Sequence, residues 1–133
     1  MAGPIIAREL QTTLRKAFDT AGAERHEYVT LEHLLLALLD DSKAAKAIEA
    51  CGGNRKRMRK ALLDFLEENV ARVPGEGHLE PQQTMAVERV LQRAAIHAIS
   101  SDMKYIDGAN VLVQLFKEED SHAVYVLQQE GIT

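Results

Sequence analysis

The stretch RHEYVTLEHLLLALL, Arg25 to Leu39, decides how the chain is read. Leu31, Leu34, Leu35, Leu38 and Leu39 fall at helical spacing and form a stripe so broad that this helix has to be central. Thr30 stands at its start as an N-cap, a side-chain oxygen placed to accept an otherwise unpartnered N–H of the first turn. Val29 before the cap and Leu34 after it are spaced as a hydrophobic staple. Glu32 sits in the first turn, where the helix dipole favours a carboxylate. Ahead of the cap, His26-Glu27 opens like a zinc-protease helix, and Glu32-His33 repeats the same residue types. A metal site, an acid/base pair and a docking edge for another protein are the three readings to separate.

Working outward, Ile6, Leu10, Leu14, Ala17 and Phe18 form the stripe of a preceding helix. Ala44, Ala47, Ile48 and Cys51 form the next, closed by Gly52-Gly53 at the C-cap, and Met58, Leu62, Phe65 and Leu66 form a fourth. RVPGEGHLEPQQ, residues 72 to 83, interrupts everything with two prolines and two glycines. The pattern restarts at Val87, Val90, Leu91, Ala94, Ala95 and Ala98, continues at Val111, Leu112, Leu115 and Phe116, then at Val124 and Leu127, and stops at Gly131. No segment alternates as a strand. The expected fold class is all-α.

The halves also match each other. A shift of 77 positions lays Leu14 on Leu91, Ala17 on Ala94, Tyr28 on Tyr105, Thr30 on Asp107 and Leu35 on Leu112. After a two-residue insertion, Ser42 meets Ser121, Ala44 meets Ala123 and Gly52 meets Gly131. The expectation is one domain over residues 1–133, built as a pseudo-twofold pair of repeats at about 5–71 and 83–133 and joined by a linker at 72–82. Asp107 then caps its helix as Thr30 does, with Ile106 and Val111 as the staple.

Composition narrows the function classes. At 46% hydrophobic and 27% charged residues the chain reads as globular rather than disordered. A net charge of -4 argues against general nucleic-acid binding. The single cysteine, Cys51, excludes an internal disulfide and suits a reducing cytoplasm. The longest apolar run, Leu34 to Leu39, is far short of a membrane span, and MAGPIIAREL lacks a signal-peptide core.

A zincin needs His-Glu-x-x-His on one helical face, and here the fifth position is the capping Thr30. The expectation is no metal, with His33 packed or hydrogen-bonded at the helix start and His26 exposed. Cys51 lies on an apolar stripe and is expected to be buried and structural. There is no nucleophile elbow and no P-loop, so no nucleotide site and no catalysis are expected. NRKRMRK, Asn54 to Lys60, reads as a solvated helix face, with nucleic-acid binding as the alternative. For Glu27 and Glu32, general acid/base work, a plain charge at a helix start and a partner's docking patch all stay open on composition.

HEYVTLEHLLLALL with the small-residue helix ending EACGG, and RVLQRAAIHAISSD with IDGANVLVQLF, resemble the N-terminal domain of the Clp/Hsp100 unfoldases, most nearly the ClpA type that feeds the ClpP peptidase. The resemblance covers about residues 5 to 133. It implies two pseudo-symmetric four-helix repeats, no catalysis within the domain and no cofactor. It implies docking of a ClpS-type adaptor that delivers N-degron substrates to an ATPase ring. The adaptor-contacting positions of the family fall on Glu27, Glu32 and Thr84, with Tyr28 holding them. A charge reversal at Glu32 is expected to abolish docking and to cost only about 0.3–1 kcal/mol of stability. In ClpC-type relatives both repeats carry a glutamate after the cap, and those sites bind phosphoarginine; Ala109 stands at the second position here. The chain is read as a domain excised from a longer cytoplasmic unfoldase. The alternative is direct substrate capture, or a stand-alone Clp-N-like protein, acting without ClpS.

Overall fold

The computed structural model describes residues 3–132. Among them are seven helices: α1 (Arg8–Ala23), α2 (Leu31–Leu38), α3 (Ser42–Ala50), α4 (Arg55–Asn69), α5 (Met85–Ser100), α6 (Gly108–Leu115) and α7 (His122–Gln129). Four two-residue strands accompany them: β1 (Ile5–Ile6), β2 (Tyr28–Val29), β3 (Gln82–Gln83) and β4 (Tyr105–Ile106). The fold is all-α, and α5, β4, α6 and α7 follow in the order of α1, β2, α2 and α3. Where four helices per repeat were expected, the second half shows three among the described residues.

The strands were not anticipated, since two residues are too few to alternate. Their pairing is crossed. β1, ahead of α1, pairs in parallel with β4 ahead of α6, with Ile5 opposite Tyr105 and Ile6 opposite Ile106. β3, ahead of α5, pairs in parallel with β2 ahead of α2, with Tyr28 opposite Gln82 and Val29 opposite Gln83. Each half thus completes a strand pair of the other. Ile6, expected on the first helix, lies in β1 and faces solvent.

All eight residues of α2 are buried, as its leucine content requires, and its surroundings supply the core: Leu10, Ile48, Met58, Leu62, Val111, Leu115 and Leu127. Thr30 accepts from the His33 N–H and Asp107 from the Asn110 N–H, so both predicted caps form. Gly52 and Gly131 carry φ of 87° and 76°, the left-handed turn that ends α3 and α7. Their successors fold back: Gly53 N–H donates to Ile48 C=O at 2.9 Å and Ile132 N–H to Leu127 C=O at 3.1 Å. α1 and α5 end the same way on Arg25 (φ 57°) and Asp102 (φ 53°), which are not glycine. Cys51, expected in the core, is exposed, because α3 stops at Ala50 and its last turn has already left the apolar face. No helix among the described residues is long and apolar enough to cross a membrane.

Candidate functional site

The β2–β3 pair builds an edge from residues distant in sequence. Gln82 N–H donates to Glu27 C=O at 3.0 Å, and Thr84 N–H donates to Val29 C=O at 3.1 Å. The register therefore lays Glu27 and Tyr28 alongside Pro81 and Gln82, with Thr84 further along the same edge, opposite Thr30. Glu27, Gln82 and Gln83 are exposed, Tyr28 is half-exposed at 45%, and Thr84 is partly buried. The Thr84 hydroxyl accepts from Val87 N–H at 3.2 Å and caps α5. The starts of α2 and α5 thus meet at one edge, each pinned by a threonine.

Beneath the edge lies a buried histidine pair. Thr30 N–H donates to His33 Nδ1 at 3.0 Å, closing a capping box in which histidine takes the place usually held by glutamate or glutamine. A nitrogen that accepts carries no proton, so the hydrogen-bond network assigns the His33 proton to Nε2, from which it is donated to His26 Nδ1 at 2.8 Å. Burial pushes His33 down to about 4, with the neighbouring His26 adding to the effect. Burial also lowers His26, with Arg72 acting in the same sense and Glu24 and Glu67 opposing it. His26, expected at the surface, is 3% exposed because its ring is the second link of this chain. Among the described residues, no group of three or more His, Cys, Asp or Glu could hold a metal ion.

Glu32 departs from its expected exposure. It is 7% exposed, and its Oε2 accepts the Ala123 N–H at 2.9 Å. The carboxylate caps α7, whose own Ser121 hydroxyl takes the Val124 N–H. The corresponding helix of the first half, α3, is capped from within that half. Asp41 Oδ1 accepts from Lys43 and Ala44 N–H, Thr13 donates to Asp41 Oδ2 at 2.8 Å, and Glu9 accepts from the Ser42 N–H. The halves thus cap these equivalent helices by different means, α3 from within its half and α7 across the repeat boundary. A carboxylate committed to a backbone N–H is not free as an acid/base partner for Glu27.

The basic run is likewise committed. Arg55 pairs with Glu49 and donates to Leu39 C=O, Arg57 pairs with Glu130, Arg59 with Asp40 and Lys60 with Asp64. These pairs neutralise most of the charge that suggested a nucleic-acid face.

Known proteins agree with this architecture. Residues 6–130 match the family model described as the Clp repeat (R) N-terminal domain, and the chain belongs to that family. It is 41% identical over 131 residues to the "ClpA homolog protein" of Fuscovulum blasticum, covering 98% of this chain but 16% of that protein. It is 32% identical over 102 residues to "Chaperone protein ClpB" of Chlamydia pneumoniae, covering 75% of this chain and 12% of that one. The chain thus spans a small part of the length of these relatives. In fold it resembles the N-terminal domain of the chaperone ClpD from Arabidopsis thaliana, with TM-score 0.72, 21% identity and coverage of 96% and 86% of the two chains. It also resembles a ClpV N-domain solved in complex with a VipB peptide, with TM-score 0.72, 17% identity and coverage of 100% and 88%.

Proposed function

We propose that this is the partner-docking N-terminal domain of a ClpA-type unfoldase and that it binds a ClpS-type adaptor at the β2–β3 edge. The adaptor would deliver protein substrates, N-degron clients among them, to the ATPase ring and onward to ClpP in the cytoplasm. The observation that carries this reading is the pairing that brings exposed Glu27 and Tyr28 and partly buried Thr84 to one edge. Glu27 offers an accessible carboxylate, Tyr28 a ring with a polar tip, and Gln82 and Gln83 amides on the same surface. Glu32 supports the row from behind by joining α2 to α7. No step of this function requires chemistry within the domain.

Titration calorimetry with ClpS tests it. Wild type is expected to bind one to one, and Glu27→Lys to lose about 10-fold or more in affinity, the cost of setting a cation against a surface selected by charge. Binding left intact in Glu27→Lys would place the contact elsewhere. A second reading, direct capture of an apolar segment without an adaptor, draws on a cleft beside β1 lined by Ile5, Ile99 and Met103, the first two about half exposed or more. Wild type that ignores ClpS but takes up an unfolded apolar peptide would favour it.

A further inference from the structure

The linker at residues 72–82, read from sequence as a mere join, is pinned at its ends by Arg72, which pairs with Glu24 and Glu67, and by Gln82 N–H on Glu27 C=O, and between them by the side chain of Arg25. The Arg25 guanidinium gathers three of its carbonyls: Nε donates to Val73 C=O at 2.9 Å, Nη1 to Gly77 C=O at 2.8 Å and Nη2 to Pro74 C=O at 3.4 Å. The Arg25 carbonyl accepts the Val73 N–H at 2.7 Å. From residue 74 to residue 81 no further backbone N–H is seen to donate to a backbone carbonyl, and Pro74 and Pro81 have none to give. Gly75 and Gly77, with φ of 105° and 100°, make the turns that converge the carbonyls on the fork.

The backbone of Arg25 shows the same commitment. It is the left-handed residue that ends α1, at the position where α3 and α7 use glycine. A bulky side chain in that conformation is strained, and a strained non-glycine residue points to a role for the side chain it carries. The equivalent residue of the second half, Asp102, has a shorter side chain without a guanidinium fork.

The strap runs directly into β3. Leu79 C=O and Pro81 lie within 3.4–3.6 Å of where a Cβ on Gly22 would stand, so the segment rests on the end of α1 and enters the pairing with β2 already aligned. We infer that Arg25 is a positioning residue for the docking edge: by collecting the carbonyls of residues 73, 74 and 77 it sets β3 against β2 and preorganises the row that the partner meets. This rests on the docking reading above. Without the fork, the partner has to order the strap on binding, and affinity falls by that cost.

The test combines calorimetry against ClpS with amide exchange of the free domain, for wild type, Arg25→Gln, Arg25→Lys and Gly77→Ala. Gly77→Ala strains the turn from the linker side without touching the arginine, in case Arg25→Gln fails to fold. Arg25→Gln is expected to bind at least about 10-fold more weakly and to exchange faster across residues 73–84, while amides of α2 keep their protection. Gly77→Ala should shift both readings the same way, by less. Arg25→Lys, one point charge in place of a fork, should not restore affinity. Full affinity in Arg25→Gln, or full rescue by Arg25→Lys, would overturn the inference while leaving the docking reading intact. Wild type that fails to bind ClpS would overturn the docking reading, and this inference with it.

Discussion

Glu32 and His33 are adjacent and both turn inward, His33 packed at the helix start as expected and Glu32 away from the docking edge it was expected to line. Glu32 accepts the Ala123 N–H in a buried place, so its loss is a structural event. Glu32→Ala is expected to cost about 1–3 kcal/mol, the range for a buried donor left without its partner. Glu32→Gln keeps an acceptor oxygen and should cost less. Urea denaturation of the two variants checks the order, and equal stability to wild type would show that the bond contributes nothing. His33 makes a prediction about pH. Its folded value of about 4 lies below the unfolded value of about 6.5, so the unfolded chain binds more protons between them. Stability is then full above about pH 6.5 and falls by up to about 3 kcal/mol as the pH drops toward 4. The lowered carboxylates Glu9, Asp40, Glu118 and Glu130 lose their contributions only further down, through the carboxylate range, so the upper part of the window reports the histidines. His33→Gln, which can still close the capping box, should flatten the slope between pH 6.5 and 5. An unchanged slope would assign the dependence to other groups.

At the scale of elements, the helices were legible because their stripes and caps are local. The α2 leucines, Thr30, Asp107 and the glycine stops required no knowledge of the rest of the chain. Packing between elements was not legible. Gly108, the first residue of α6, stands so close to the N-cap of α3 that an added Cβ would lie 2.1 Å from Asp41 Oδ1. That carboxylate is held by Thr13 and by two N–H groups and cannot simply turn away. Gly108→Ala is therefore expected to destabilise by about 1–3 kcal/mol, the usual range for overpacking, although alanine is the better helix former. Thermal denaturation checks the sign, and a rise in melting temperature would show that α3 and α6 separate freely.

At the scale of the molecule, the halves are interlocked. β1 completes β4, β3 completes β2, Glu32 caps α7, and Arg57 ties the start of α4 to Glu130 after α7. Neither half closes its own edges, so the two are expected to unfold together. Far-ultraviolet circular dichroism, exchange of α2 amides and exchange of α5 amides should report one urea midpoint. Separate midpoints for the two halves would show independent units.

The duplication, the all-α class, the capped helix starts and the family were all determined by the sequence alone, because each rests on residue type and spacing within a few turns or on direct comparison of the two halves. Tertiary structure decided which way the marked residues face. Glu27 and Glu32 looked equivalent, yet one is exposed and the other spans the repeat boundary to Ala123. Cys51 and His26 exchanged their expected places, since a helix ending one residue early exposes the first and a partner imidazole buries the second. The linker looked featureless because the side chain that orders it lies 48 residues away from its first carbonyl. Such contacts depend on how the halves cross, and no local periodicity records that.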